Sequence, residues 1–224
     1  VFAAVRGVFN RCRGAYSVVV LIVGYGLLAF RDPNGIRPLV IGQRRTGSPE
    51  SSVMLASESV ALDVLGYQVI GDIDPGDTVI DYLHRNIHRQ TCVPGAQRSP
   101  CIFEYVYLAR PDSMMDGIAV YKSRLRMGEY LAQNILSNYS QNSHDIDVVV
   151  PVPDTGRTSA LPLAHMLNVK FREGFVKNRY IGRTFIMPGQ KERRRSVRHK
   201  LATIDLEFKG KNVLIVDDSI VRGT

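Results

Sequence analysis

The stretch VLIVDDSIVRGT, residues 213–224, sets two adjacent carboxylates at the end of an apolar run and follows them with Arg-Gly-Thr. A continuous apolar run bounded by polar residues reads as a strand buried on both faces, as in a parallel sheet covered by helices. The same pattern recurs in IDVVVPVPDTGRTSA, residues 146–160, where an apolar run enters a proline-stiffened loop and then a helix. Ligands of open parallel sheets sit beyond the carboxyl ends of the strands, so two such turns of one sheet flank one crevice. Asp217 and Asp218 repel each other there, and a sugar diol or a hard cation relieves that repulsion. Arg222, Gly223 and Thr224 supply a guanidinium, a flexible backbone and a hydroxyl suited to a phosphate. In the other loop Asp154 and Thr155 offer oxygens, and Gly156 lets backbone amides approach an anion. Both loops also admit a plainer reading, with Asp218 or Ser219 capping one helix and Thr158 the other.

Strands alternating with helices continue outward from these loops. Residues 104–109 (EYVYLA) read as a strand, and residues 120–139 as a helix with Tyr121, Leu125, Leu131 and Ile135 among its apolar positions. Residues 158–168 form a helix expected to tolerate Pro162 only near its first turn, and residues 169–176 (VKFREGFV) form one strand. The first 90 residues differ. Phe2, Val5, Val8, Phe9 and Cys12 lie on one helical stripe ending near Gly14, and residues 17–30 read as two buried strands joined by a turn. Asp32-Pro33-Asn34-Gly35 is a turn, residues 54–59 a short strand, residues 58–67 a short helix, and residues 72–83 a strand pair around Pro75-Gly76. A mostly antiparallel sheet with a little helix is therefore expected up to about residue 90, then a parallel α/β sheet, with the change near residues 92–100.

Composition narrows the function. The chain has 224 residues, 45% of them apolar, which is ample for a packed core. Its longest apolar run is too short for a membrane helix, which needs roughly 18 residues or more. The net charge of +8 is local: residues 177–200 hold nine Lys or Arg against Glu192 alone, leaving 20 basic and 20 acidic groups elsewhere. One anionic partner near one segment is indicated, more than a basic groove for nucleic acid. Cys12, Cys92 and Cys101 form no close pair and suggest a reducing cytoplasm, each read as a small buried hydrophobe.

VLIVDDSIVRGT is similar to the phosphoribosyl pyrophosphate (PRPP) signature of type I phosphoribosyltransferases. FRDPNGIRPLVIG, SESVALDVLGY, FEYVYLARPDS, GFVKNRYIGRTFIMPGQ and SVRHKL, in this order, resemble the glutamine phosphoribosylpyrophosphate amidotransferase family across nearly the whole chain. The resemblance implies an α/β chain. Residues 1–95 would be the C-terminal part of an αββα N-terminal-nucleophile glutaminase domain, and residues 96–224 the N-terminal part of a phosphoribosyltransferase domain. The implied activity is transfer of glutamine-derived ammonia to PRPP, giving 5-phosphoribosylamine, glutamate and pyrophosphate, at the first committed step of purine synthesis. Asp217, Asp218, Ser219, Arg222, Gly223, Thr224, Thr155, Lys177 and Lys200 would then bind PRPP, with Thr155, Asp217 and Asp218 serving Mg²⁺. Tyr180, Arg183 and Ile186 would lie in the flexible loop that shuts over PRPP and helps form the ammonia passage.

The resemblance also implies a homo-oligomer, with no nucleic-acid or membrane partner. The family's nucleophilic cysteine stands at a mature N-terminus, so this chain is expected to be an internal fragment without glutaminase activity and with little or no transferase activity. Cys101 lies where some members bind an iron–sulfur cluster, but one cysteine cannot hold a cluster and none is expected. A second expectation is a PRPP-sensing transcriptional regulator, because some repressors reuse this fold.

Overall fold

The computed structural model describes residues 1–45, 51–82, 87–139, 144–180, 197 and 199–220. They fall into two compact units, Val1–Tyr121 and Lys122–Thr224. The first unit begins with helix α1 (Phe2–Arg11), which buries Val5 and Phe9. Strands β1 (Ser17–Ile22), β2 (Gly26–Arg31), β3 (Val40–Arg45) and β4 (Ser51–Ala56) follow, then helix α2 (Ser59–Val64) and strands β5 (Gln68–Asp72), β6 (Asp77–Tyr82) and β7 (Ile87–Thr91). One antiparallel sheet has the order β1-β2-β6-β7 and a second β4-β3-β5.

The period-2 alternation of β2 and β6 builds two cores from one sheet. Leu28, Phe30 and Ile80 face Val5 and Phe9 of α1, while Ala29 and Val79 face Leu39, Ile41 and Ile73. On the far side of β3, the Leu62 side chain of α2 comes so close to Gly42 that a Cβ there would meet it at 2.9 Å. The layers run helix, sheet, sheet, helix.

The turn after β2 carries the most elaborate polar packing of the unit. Gly35 takes φ of 61°, as its place in the Asp32-Pro33-Asn34-Gly35 turn requires. The fully buried Asp32 carboxylate accepts hydrogen bonds from the Asn34, Ile36, Arg37 and Tyr16 amides. Arg31, 1% exposed, donates to the carbonyls of Arg37, Ile73 and Gly35 and pairs both guanidinium ends with Asp116 at 2.7 and 2.9 Å. Asp116 stands in a two-residue turn with Gly117, both at positive φ, between the short strands β8 (Met114–Met115) and β9 (Ile118–Ala119). Burial opposes ionisation of Asp116, yet the hydrogen bonds and charge of Arg31 outweigh it and hold the carboxyl below its usual range.

In the second unit, helix α3 (Val120–Ser137) starts at the unit boundary and precedes β10 (Val148–Pro151), α4 (Gly156–Met166) and β11 (Lys170–Phe171). Strands β12 (Phe175–Lys177), β13 (Leu201–Thr203) and β14 (Val213–Val216) complete it. The sheet order is β11-β10-β14, all parallel, and β12 and β13 form a separate antiparallel ribbon. Its core joins Val149 and Val216 to Ala160, Leu163 and Ala164 of α4 and Ala132 of α3.

Several local expectations are corrected. Residues 104–108 form a π-helical turn and not a strand, closed by Ala109 N–H on Glu104 O and anchored by the buried Glu104, which pairs with Arg37. Only one face of β1 packs on the core; Val19 and Leu21 are exposed because β1 is an edge strand. Cys12 is exposed, since α1 ends at Arg11 and residue 12 is extended. Residues 169–176 make two strands in different sheets, split at residues 172–174, and residues 72–83 contribute to two different sheets. Pro162 sits inside α4, not in its first turn. The buried positions of α3 are Val120, Arg124, Gly128 and Ala132, whereas Tyr121 and Leu131 are exposed. Residues 96–121 pack with the first unit, later than the change near 92–100 read from composition: Ser99 N–H donates to Asn34 O, and Arg110 N–H to Glu58.

Candidate functional site

β10 and β14 lie side by side in register, Pro151 opposite Val216, so both chains leave the sheet at the same end. The Val152 amide donates to Val216 O at 2.7 Å and ties the first loop to the second strand. Gly156 then passes so close that a Cβ would stand 2.4 Å from Val216 O; only glycine permits this crossing. Residues 154 and 155 are thereby brought beside residues 217 and 218.

The side chains complete the arrangement. The Thr155 hydroxyl donates to Asp218 Oδ2, Ser219 Oγ donates to Asp218 Oδ1 at 2.7 Å, and the Asp218 amide donates to Asp217 Oδ1 at 2.8 Å. Thr155 precedes α4, but no side chain caps that helix. The plainer sequence reading, with Thr158 as the cap, does not hold, because α4 starts at Gly156 and Thr158 lies inside it. Asp217 is exposed as a residue, yet protein atoms crowding its carboxyl strip part of its hydration and raise its pKa, and the neighbouring Asp218 charge adds to the rise. Asp217 gains when positive charge or hydroxyl donors arrive.

Lys177 ends β12 and pairs with Asp154. The Asn178 amide donates to Lys200 O at 2.7 Å, and Lys177 stands opposite Leu201, so the ribbon joins the two ends of the basic segment. Lys177 and Lys200 thus stand at its two ends. Tyr180 is fully exposed, its amide donating to Asn178 Oδ1. Arg183, Ile186, Arg222, Gly223 and Thr224 lie outside the described residues.

No group of three or more His, Cys, Asp or Glu converges as a metal cage among the described residues. Two carboxylates and a hydroxyl are nevertheless the hard oxygen donors that suit Mg²⁺, an ion that keeps waters and takes phosphate oxygens into its shell. No helix among the described residues is long and apolar enough to cross a membrane. The sequence offered Asp154 only as an oxygen donor; its side chain meets Lys177 and Arg157, and the signal for that pairing was present in the unlike charges at 154, 157 and 177.

Parallel strand ends that carry paired acids on one loop and a hydroxyl on the next mark an α/β protein with oxygen donors gathered where ligands of such sheets bind. Over its full length the chain is similar to amidophosphoribosyltransferases, and it spans 44% of the length of the curated relatives it matches. All of it aligns with the amidophosphoribosyltransferases of Pseudomonas aeruginosa (62% identical), Saccharomyces cerevisiae (53%) and Escherichia coli K12 (50%). Among solved structures, glutamine PRPP amidotransferase from B. subtilis complexed with ADP and GMP is similar with TM-score 0.79 and 35% identity, over 99% of this chain and 46% of that one. A structure described as the allosteric regulatory enzyme of purine biosynthesis gives 0.81 and 36%, over 99% and 45%. No family model matches the chain. These relatives lend no support to the transcriptional-regulator alternative.

Proposed function

We propose that the full-length protein transfers ammonia derived from glutamine to PRPP, giving 5-phosphoribosylamine, glutamate and pyrophosphate, as the first committed step of purine synthesis. The observation that carries this reading is the meeting of Thr155 with Asp218 where two parallel strands end. Asp217 and Asp218 accept hydrogen bonds from the ribose hydroxyls, and Ser219 fixes the orientation of Asp218. Thr155, Asp217 and Asp218 would hold Mg²⁺, which supplies positive charge to the phosphate oxygens. Lys177 and Lys200 stand at the ends of the basic segment, where cations stabilise negative charge as pyrophosphate leaves.

Resemblance alone carries six more residues: Arg222, Gly223 and Thr224 on the 5-phosphate, and Tyr180, Arg183 and Ile186 in the closing loop. It also carries the assignment of residues 1–95 and 96–224 to glutaminase and phosphoribosyltransferase domains, a homo-oligomeric state and a cytoplasmic location.

The test is release of pyrophosphate from PRPP by the full-length protein supplied with glutamine and Mg²⁺. A variant carrying Asp217→Asn and Asp218→Asn keeps the shape of both side chains and loses both charges. Its turnover is expected to fall by at least about 100-fold, the scale on which preorganised electrostatic groups act. Turnover equal to wild type removes these carboxylates from the site.

A further inference from the structure

Asp154 is held by Lys177, a cation that the proposed site needs for its ligand, and by the neighbouring Arg157. Its Oδ2 lies 2.5 Å from Lys177 Nζ and its Oδ1 3.4 Å from Arg157 Nη1, and Arg157 Nε also pairs with Glu173 at 2.9 Å. Just beyond Asp154, α4 begins without a side-chain cap from Thr155, and the Gly156 amide donates to Val152 O. An anion-binding corner is therefore already assembled around a carboxylate of the protein itself.

We infer that Asp154 is an internal counter-anion, released from Lys177 when a phosphate-bearing ligand takes its place, and that it sets how tightly pyrophosphate is held. This inference rests on the proposed PRPP site. The balance of charges favours such an exchange. The Asp154, Arg157 and Lys177 side chains are 56, 40 and 30% exposed, so water screens the pair and a single carboxylate holds Lys177 weakly. Pyrophosphate carries several negative charges and outcompetes it. The carboxylate still keeps Lys177 and Arg157 drawn together beside Thr155 before ligand arrives, and it opposes retention of the product afterwards. Asp154 is thus a positioning residue acting through Lys177.

The test uses inorganic pyrophosphate as a competitive inhibitor against PRPP in the full-length protein, comparing wild type, Asp154→Asn, Lys177→Gln and the double variant. Asp154→Asn is expected to lower the inhibition constant about three- to tenfold, the range available to a part-exposed ion pair. In the Lys177→Gln background the same substitution is expected to change it by less than about twofold, because the coupling runs through Lys177. Asp154→Ser carries the test if the Asn variant does not fold. An unchanged or raised inhibition constant overturns the inference, as does an equal gain in the Lys177→Gln background. The underlying site is judged separately by the Asp217→Asn and Asp218→Asn variant, whose full turnover would remove the PRPP reading whatever Asp154 does.

Discussion

Replacing Asp116 with alanine is expected to destabilise the first unit by about 3–5 kcal/mol, because it strands a buried guanidinium. Arg31 is 1% exposed, and three of its N–H groups are already committed to backbone carbonyls, two in the turn after β2 and one at Ile73. Those contacts keep the side chain from turning toward water once its charge partner is gone. Arg98, at 3.4 Å from Asp116, cannot stand in for a missing carboxylate. A loss of this size is a large part of the roughly 5–15 kcal/mol that holds a domain folded. Chemical denaturation measures it, and a double variant with Arg31→Met should recover part of the loss, since removing both charges costs less than exposing one. Asp112→Ala is the control: its partner Arg110 is a surface group, and stability should stay close to wild type. A loss for Asp116→Ala as small as that control would show that Arg31 finds water in the folded state.

The second large effect lies at the crossing of α3 and α4. A Cβ on Gly128 would stand 2.0 Å from the carbonyl oxygen of Ser159 and 2.9 Å from Pro162 Cγ. Alanine in a helix interior is ordinarily worth up to about 1 kcal/mol over glycine. Here that gain is opposed by a clash with backbone, which cannot swing aside as a flexible side chain can. Overpacking costs about 1–3 kcal/mol in a typical core, and the helices must separate to admit this methyl group, so Gly128→Ala should be destabilising toward the upper end of that range. Gly7→Ala in α1 makes the contrast: its Cβ meets only the tip of Arg11 at 3.0 Å, and the propensity gain should survive. Thermal denaturation of the two variants gives opposite signs on this account. A neutral Gly128→Ala would mean that the helices are not in close contact there.

The strand ends that build the candidate site were legible in the sequence because the apolar run at 213–216 stops at two acids and the run at 148–150 enters a proline-stiffened loop. Parallel strands place such stops together. Short-range turn chemistry was equally legible at Asp32-Pro33-Asn34-Gly35. The Arg31–Asp116 pair was not, because its partners are 85 residues apart and nothing local distinguishes Arg31 from an exposed arginine. Asp116-Gly117 between apolar residues was a hairpin signal that went unread. EYVYLA alternates well enough to resemble a strand, but Glu104 belongs inside, where Arg37 meets it, and that contact is tertiary. The apolar positions singled out on α3 were the large ones. Its packing face uses Gly128 and Ala132, where small size rather than hydrophobicity admits a neighbouring helix. Asp154 was noted as an oxygen donor, yet its engagement by Lys177 depends on a ribbon that returns the chain to the loop.

The central claim is that the joined ends of β10 and β14 hold Mg²⁺ and PRPP. Equilibrium binding of PRPP to the full-length protein, with and without Mg²⁺, tests it most directly when wild type is compared with Asp218→Asn. The account predicts Mg²⁺-dependent binding by wild type and affinity weakened about tenfold or more in the variant, the scale of losing one oxygen donor with its supporting hydrogen bonds. Equal affinity in the two proteins, at the same Mg²⁺ concentration, would contradict it.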